Sequence, residues 1–280
     1  MKKPFLSPRN DLVFKRLFGD PRDTSLLTGF LQAILDLPAG EYEEVRVIDP
    51  YLAADFPGDK ESVLDVKVKT TTGKVIDVEI QVVEQPQMRE RVVFYLARMV
   101  TEQIGKGDDY GEIKRSISIL ITDYVQIPEN RSYHNRYVLH DRETDSVFTD
   151  LMEINTLELP KLPLGEDGTE EWEWMKFLNA RKEEELTMLA EKNPLIGKAV
   201  SRLVELSQDE RTRLLAESRE KMRRDIAARE QGAANKGRVE GRVEAQLAIA
   251  RKALSKNMSI EDIMDLTGLS AEEIQSLRLH

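Results

Sequence analysis

The sequence predicts an α/β (α+β) fold, in which helices cover a mixed central sheet, followed by an all-helical C-terminal region. Three observations lead to this prediction. Over the first half of the chain, patterned segments follow in the order helix, strand, strand, strand, helix, strand. The run Ser116 to Thr122, SISILIT, is almost continuously apolar, as is typical of a strand buried inside a mixed sheet. Beyond residue 169 the apolar residues recur with a helical period almost without interruption.

The composition excludes several classes of protein. The 280 residues include no cysteine, which excludes disulfides, thiolate nucleophiles and cysteine zinc sites. No apolar run approaches the roughly 18 residues that a membrane span needs, and the N terminus lacks the apolar stretch of a secretory signal. We therefore expect a cytoplasmic protein that does not contact a membrane. The net charge of −10 argues against a nonspecific DNA coat but is compatible with a local basic groove.

Two helices are predicted at the N terminus. A helix-start pattern precedes Asp11, and the apolar face that follows ends at Gly19. Pro21 opens a second helix that runs to about Leu35. Asp11 and Lys15 are four residues apart and therefore lie on one face of the first helix. As a surface ion pair they would contribute only about 0.2–0.5 kcal/mol.

The stretch from residue 63 to residue 83 predicts a β-hairpin. Val63 to Lys69 and Val75 to Val83 alternate with a period of two and are rich in β-branched residues. Turn-forming residues separate the two segments. A three-residue loop at Thr71 to Gly73 would set Asp65 directly opposite Glu79, with their Cβ atoms within about 5 Å of each other.

One face of this hairpin is predicted to be polar, because side chains two residues apart share a face. Its members are Asp65, Lys67, Lys69, Asp77, Glu79 and Gln81. Two close carboxylates repel, so an opposite charge is needed beside them. A divalent cation with hard oxygen ligands would supply it, as Mg²⁺ does in phosphodiester chemistry. The alternative is a solvated face on which the two lysines neutralise the acids.

Further strands and one long helix complete the predicted core. Val45 to Leu52 is predicted as a strand, and short alternating segments between Arg136 and Leu159 predict two or three more. The helix from about Gln87 to Gly105 carries three arginines, which are Arg89, Arg91 and Arg98. These side chains could contact a phosphate backbone, although a solvated face or ion pairs with neighbouring acids are the more common roles.

The Asp65 and Glu79-x-Gln81 pattern resembles the signature of PD-(D/E)XK nucleases, in the variant in which glutamine replaces the usual lysine. The hairpin, together with the runs PRNDLVFKRLFGD, RVVFYLARMVTEQI and ISILITDY, is similar to the recombination-promoting nuclease (Rpn) family, whose members are also described as transposases. This resemblance implies a restriction-endonuclease-like αβββαβ core with a mixed sheet. It also implies DNA as partner and a role in recombination, transposition or defence.

By the same resemblance the protein is expected to be a Mg²⁺-dependent DNA endonuclease, with Mn²⁺ able to replace Mg²⁺. The expected active-site residues are Asp65, Glu79, Gln81, Lys67, Lys15 and Asp11. The first two are expected to bind the metal, and Gln81 to position the water or the scissile phosphate. Lys15 or Lys67 would stabilise the developing charge in place of the missing lysine, and Asp11 would add a carboxylate. The rival interpretation is a catalytically inactive protein of the same fold that binds DNA or another partner.

The chain is predicted to divide into residues 1–165, a nuclease-like domain, residues 166–230, a helical extension, and residues 231–280, a charged helix with a small helical tail. The stretch from residue 219 to residue 251, which crosses the second of these boundaries, contains nine Lys or Arg and five Asp or Glu, an excess of four positive charges. A narrow apolar stripe, made by Val239, Val243, Leu247 and Leu254, suits one partner helix and predicts self-association.

The tail predicts two short capped helices. Ser259 with Asp262 and Ser270 with Glu273 form capping patterns, and Gly268 separates them. The resulting helix-turn-helix is similar in shape to a DNA-binding one. Its second helix begins with acidic residues, which oppose phosphate contact. We therefore favour a packing or self-association module over a base-reading one.

Overall fold

A computed structural model describes residues 4–52 and 62–277, without the side chains of residues 62, 63 and 230. Contacts between residues divide the chain into two compact units, Met1–Glu220 and Lys221–His280. The boundaries proposed from the sequence at residues 165 and 230 stay predictions. Among the helices of the described residues, none is both long enough and apolar enough to traverse a bilayer.

Helices precede, cover and follow a set of eight strands in the described part of the chain. The helices are α1 (Asp11–Phe18), α2 (Ser25–Ile34), α3 (Met88–Thr101), α4 (Glu170–Asn179), α5 (Glu183–Lys192), α6 (Pro194–Gln208), α7 (Glu210–Ser255), α8 (Ile260–Thr267) and α9 (Ala271–Ser276). The strands are β1 (Arg46–Ile48), β2 (Tyr51–Leu52), β3 (Ser62–Val63), β4 (Val66–Lys69), β5 (Val75–Gln81), β6 (Ser116–Thr122), β7 (His134–His140) and β8 (Val147–Glu158).

Six of these strands form one mixed sheet in the order β1-β4-β5-β6-β8-β7, and β2 pairs separately with β3. Strand β5 is antiparallel to β4 and parallel to β6, and β6 is parallel to β8. The predicted α/β class and mixed sheet are thereby confirmed. The prediction of single strands at Val45 to Leu52 and at Val63 to Lys69 was wrong, because each segment divides into one strand of the main sheet, β1 or β4, and one of the separate pair, β2 or β3. The short segments predicted between Arg136 and Leu159 form two strands, β7 and the long β8, which extends beyond β6 to pair with β7.

The hairpin forms with the predicted register. Lys69 lies opposite Val75, and the Thr70 N–H donates to the Lys74 carbonyl at 2.9 Å, which leaves the three-residue loop 71–73. Gly73 in this loop has a φ of 94°, a conformation that favours glycine.

The apolar face of the hairpin packs into the main core together with α1, α2 and the helices beyond residue 169. Aromatic rings join these elements. The ring of Phe18 lies 5.4 Å from that of Phe30 and 5.8 Å from that of Trp174, measured between centroids. Gly29 allows a close approach here, since a Cβ on it would lie 2.0 Å from Leu195 Cδ2. Helices α4 to α6 are therefore part of the same core as α1.

The opposite, polar face of the hairpin lies under α3. Buried side chains of this helix, among them Val92, Leu96 and Met99, contact the apolar members of that sheet face. Lys67, Asp77 and Glu79 of the hairpin are consequently buried between the sheet and a helix, where their electrostatic interactions are stronger than in water.

In the C-terminal unit, the end of α7 packs with α8 and α9 around a small core that includes Ala250, Ile263 and Ile274. Ser259 caps α8, Gly268 ends it with a φ of 70°, and Ser270 and Glu273 form a reciprocal capping box on α9. The predicted helix-turn-helix is confirmed as a structure.

Candidate active site

Asp65 lies in a bend immediately before β4 and is held at both carboxylate oxygens. Its Oδ1 lies 3.0 Å from Lys15 Nζ, and its Oδ2 accepts a hydrogen bond of 3.1 Å from the Ile80 N–H. Helix α1 thus brings the predicted Lys15 to the hairpin, because the apolar face of this helix packs against the underside of the sheet.

Glu79 lies on β5, next to Asp65 in the extended hairpin register, and is only 2% exposed. Its Oε2 is 3.3 Å from Arg91 Nη2. Burial raises the pKa of Glu79 to about 7; the positive charge of Arg91 and a hydrogen bond from Gln81 oppose this rise, and the negative charge of Asp65 adds to it. The two carboxylates are therefore close enough to repel each other, as the predicted pairing requires.

Arg91 projects from the first half of α3 toward the sheet. Its Nη1 donates to Gln85 Oε1 at 2.7 Å, and its guanidinium lies 5.3 Å from the centre of the Tyr95 ring. These two contacts fix the guanidinium beside Glu79 independently of that carboxylate.

Asp77, two residues before Glu79, is a third buried acid on this face, and sequence reasoning gave it no role. The Ser118 hydroxyl donates to its Oδ2 at 3.4 Å, and within the described residues its Oδ1 has no hydrogen-bond partner. Burial raises the pKa of Asp77 well above its usual value, and the charges of Glu79 and Asp65 raise it further. The alternation Asp77-x-Glu79 was the available signal, since it places both acids on one face of β5.

Lys67, the second lysine proposed for the site, lies opposite Asp77 in the hairpin. Its Nζ forms an ion pair of 3.0 Å with Glu102 Oε2, at the C-terminal end of α3. Of the two lysines, Lys15 is the one that contacts the Asp65 carboxylate.

Gln81 and Asp11 flank the acidic pair. Gln81 ends β5 beside Thr122 of the parallel strand β6 and hydrogen-bonds the Glu79 side chain. Asp11 lies one helical turn before Lys15, and its Oδ2 accepts a hydrogen bond of 2.5 Å from Arg219 Nη1 of α7. The structure thus brings Asp11 near the base of the site but engages it with an arginine.

The other two arginines predicted on α3 make different contacts. Arg89 Nη2 donates to the Gln126 carbonyl at 2.6 Å, and Arg98 Nη2 lies 4.0 Å from Glu102 Oε1. Of the three predicted arginines, Arg91 is the one that contacts an acid of the hairpin.

Tyr124 is a further side chain at the same edge that sequence reasoning missed. It follows β6 directly, and the Thr122 hydroxyl donates to its carbonyl at 2.7 Å. Its hydroxyl is buried and has no hydrogen-bond partner among the described residues. Burial raises the pKa of Tyr124 to about 12; the negative charges of Glu84 and Glu79 add to this rise, and the positive charge of Arg91 opposes it.

The donor atoms of the site suit a hard divalent cation. Asp65 and Glu79 offer carboxylate oxygens from adjacent strands, and Gln81 offers an amide oxygen, which are the ligand types that Mg²⁺ prefers. Within residues 4–52 and 62–277, no cluster of three or more His, Cys, Asp or Glu is arranged to hold a metal ion. A cation at the acidic pair would therefore depend on water and phosphate oxygens for the rest of its shell.

The fold and this acidic pair define a protein of the PD-(D/E)XK nuclease class. Residues 8–233 match a family model described as "PD-(D/E)XK nuclease family transposase", and residues 243–279 match one described as "Rpn/YhgA-like nuclease family, C-terminal HTH domain". The chain therefore belongs to the family of PD-(D/E)XK nuclease transposases. This membership confirms the resemblance that was drawn from its motifs. No curated protein and no solved structure matches the chain.

Proposed function

We propose that the protein is a divalent-metal-dependent DNA endonuclease that hydrolyses phosphodiester bonds, acts in the cytoplasm and is linked to recombination or mobile elements. The observation that carries this proposal is the convergence of two carboxylates with two cations: Lys15 lies 3.0 Å from Asp65, and Arg91 lies 3.3 Å from the buried Glu79. Charged groups that converge in this way, one of them a buried acid with a raised pKa, are typical of functional sites. Membership of a nuclease family supports the same conclusion.

In this proposal each side chain has a distinct task. Asp65 and Glu79 hold Mg²⁺ or Mn²⁺, which when bound activates a water and neutralises charge on the phosphate. Gln81, at the mouth of the pair, orients the water or the scissile phosphate. Lys15 stabilises the charge that develops, because it lies at Asp65 whereas Lys67 is held by Glu102.

DNA is proposed to contact α3 through Arg89, Arg91 and Arg98 and to be bound further by the C-terminal unit. The name of the family model for residues 243–279 supports a helix-turn-helix contact with DNA. However, α9 begins with Ala271, Glu272 and Glu273, and these acids oppose entry into a groove. For this reason we propose that the C-terminal helices also mediate self-association.

The activity is tested with supercoiled plasmid in Mg²⁺ or Mn²⁺. Wild type is expected to nick or linearise the plasmid, and Asp65→Ala to lose this activity. Asp150→Ala is a matched control, because Asp150 is an exposed acid that pairs with Arg115 at 3.2 Å, away from the hairpin acids. Equal cleavage by wild type and Asp65→Ala, or none by either, would defeat the endonuclease and favour an inactive binding protein of the same fold.

The role of the tail is tested by deleting residues 259–280. We expect the molar mass in light scattering to fall while the intrinsic cleavage rate of plasmid is retained. An unchanged mass combined with lost DNA binding would instead make the tail a DNA reader.

A further inference from the structure

The acidic pair of the site is already neutralised by the protein itself. Asp65 and Glu79 contribute two negative charges, and Lys15 and Arg91, each in contact with one of them, contribute two positive charges. Placing a divalent cation at the carboxylates would leave these four side chains and the cation with an excess of two positive charges. Such an excess is unfavourable unless an anion enters as well.

We propose that Arg91 is an exchangeable cation of the site: it pairs with Glu79 in the free protein and transfers to the scissile phosphodiester when Glu79 ligates a divalent cation. This inference rests on the proposed endonuclease function. It adds Arg91, on α3, to Lys15 as a second positive charge in a site whose Glu79-x-Gln81 motif lacks the usual lysine.

The other cations near the site are committed elsewhere. Lys67 forms an ion pair with Glu102, and Lys15 forms one with Asp65. Arg89 donates to the Gln126 carbonyl. Arg91 is thus the cation that contacts Glu79. Glu79 in turn lies two residues before the neutral Gln81.

The contacts of Arg91 suit a change of partner. Its link to Glu79 is a single 3.3 Å contact, longer than the usual range for a charged pair. Its shorter bond goes to Gln85, and the ring of Tyr95 supports the guanidinium, so both contacts can persist when Glu79 is given up. The Arg91 side chain is 28% exposed and that of Glu79 is 3% exposed, so Arg91 is the member of the pair that is accessible to a ligand from solvent.

Arginine is also suited to the second partner. Its planar group donates two parallel hydrogen bonds to a phosphate, and it stays charged at any physiological pH. One buried atom, Arg91 Nε, has no hydrogen-bond partner among the described residues, so the side chain retains an unused donor in the free state.

A thermodynamic coupling between cation and DNA follows from the exchange. A cation at Glu79 frees Arg91 for phosphate, and phosphate at Arg91 frees Glu79 for the cation. By linkage each ligand then raises the affinity for the other by the same factor.

The coupling is measured as DNA affinity by fluorescence anisotropy in EDTA and in Ca²⁺, with gels to verify that the DNA stays intact. We expect Ca²⁺ to raise the affinity of wild type by about tenfold, within the usual range of such couplings. Arg91→Ala should lose most of this gain, and Arg91→Lys should recover part of it. Arg142→Ala, which changes an exposed arginine in the turn between β7 and β8, should keep the wild-type ratio between the two conditions.

A second measurement needs no metal. In EDTA, Glu79→Gln releases Arg91, so this variant should bind DNA more tightly than wild type. The double variant Glu79→Gln/Arg91→Ala should lose that gain. Circular dichroism verifies that each variant is folded.

Retention of the full Ca²⁺-dependent gain by Arg91→Ala, or no increase in metal-free affinity for Glu79→Gln, would overturn the exchange. Plasmid cleavage by wild type separates this result from the proposed function. A cleaving wild type with unaltered coupling in Arg91→Ala overturns the exchange alone. A wild type that does not cleave, but whose coupling is lost in Arg91→Ala, overturns the endonuclease and supports the exchange.

Discussion

Two buried glutamates lie at opposite ends of the β4–β5 hairpin and differ in almost everything except burial. Glu41, beside the turn, is 4% exposed, and Glu79, at the open end, is 2% exposed. The pKa of Glu41 is lowered to about 2, whereas that of Glu79 is raised to about 7. Burial alone therefore does not determine how a carboxylate behaves in this hairpin.

The difference comes from the number of donors. Burial opposes ionisation of Glu41, but hydrogen bonds from Lys74, Thr70 and Thr72 outweigh it. The two threonine hydroxyls lie within 2.6–2.8 Å of its oxygens. Glu79 has one long contact with Arg91, a bond from Gln81 and a like charge nearby. A buried acid with a full set of donors stabilises the fold, and one with too few is available to a ligand.

The largest expected effect is a difference in plasmid cleavage between variants of the two glutamates. Glu79→Gln should lower plasmid cleavage by at least about 10²-fold, since removing a ligand costs at least as much as removing its supporting contacts. Glu41→Gln should leave the rate per folded molecule near that of wild type. The measurement is the initial rate of loss of supercoiled plasmid in Mg²⁺. Equal losses in both variants would contradict the distinction.

A smaller effect is expected at the two lysines. Lys15→Met should reduce cleavage by about 10–10²-fold, because it removes a charge beside Asp65 that stabilises the developing negative charge. Lys67→Met, which breaks the pair with Glu102, should act on stability rather than on rate. Single-turnover rates and urea unfolding of both variants test this. If Lys67→Met lowered the cleavage rate more than Lys15→Met, Lys67 would be the lysine that stabilises the developing charge.

For the free energy of unfolding, the order of the two variants should be reversed: Glu41→Gln should have the larger effect. Glu41→Gln leaves Lys74 without its partner and should lower the free energy of unfolding by about 1–3 kcal/mol. Glu79→Gln imitates the protonated acid that burial favours, so the metal-free protein should lose no stability. Urea titrations at pH 7.5 in EDTA measure both. A destabilised Glu79→Gln would mean that the Arg91 pair is structural.

The smallest effect concerns His134, which like Glu41 has hydrogen-bond partners for its charged form: it contacts Glu171 at 3.1 Å and Asn155 at 2.9 Å. Burial lowers the pKa of His134, but these bonds outweigh it and raise the pKa above 6.5. Its stabilising contribution is therefore complete below the unfolded pKa and is lost as pH rises through the folded one. Thermal unfolding from pH 6 to 9 should show this decline, and His134→Gln should flatten it. If the melting temperature of His134→Gln fell with pH as steeply as that of wild type, His134 would be excluded as the cause of the decline.

The sequence was sufficient for the hairpin and its acids because strand alternation and loop length are local properties. They set the 71–73 loop and the pairing that brings Asp65 toward Glu79. Local sequence could not decide whether Lys15 or Lys67 contacts the Asp65 carboxylate. The answer depends on how α1 packs under the sheet and on Glu102, which lies 35 residues from Lys67.

Other features required tertiary packing. The parallel pairing of β6 with β8 follows from strand order, which alternation does not encode. The predicted arginines of α3 could be placed on a helix, but only the packed helix shows that Arg91 meets Glu79 while Arg89 meets a carbonyl. Asp77 and Tyr124 were missed because their burial depends on the same helix and on the edge of β6.

The aromatic contact of Phe18 and Phe30 with Trp174 has a consequence for synthesis on the ribosome. The helix that carries Lys15 is made first, but the ring that packs against it emerges more than 150 residues later. A nascent chain that has not yet exposed α4 lacks the support that seats α1 beneath Asp65. The proposed cleavage activity therefore requires that most of the polypeptide has left the exit tunnel.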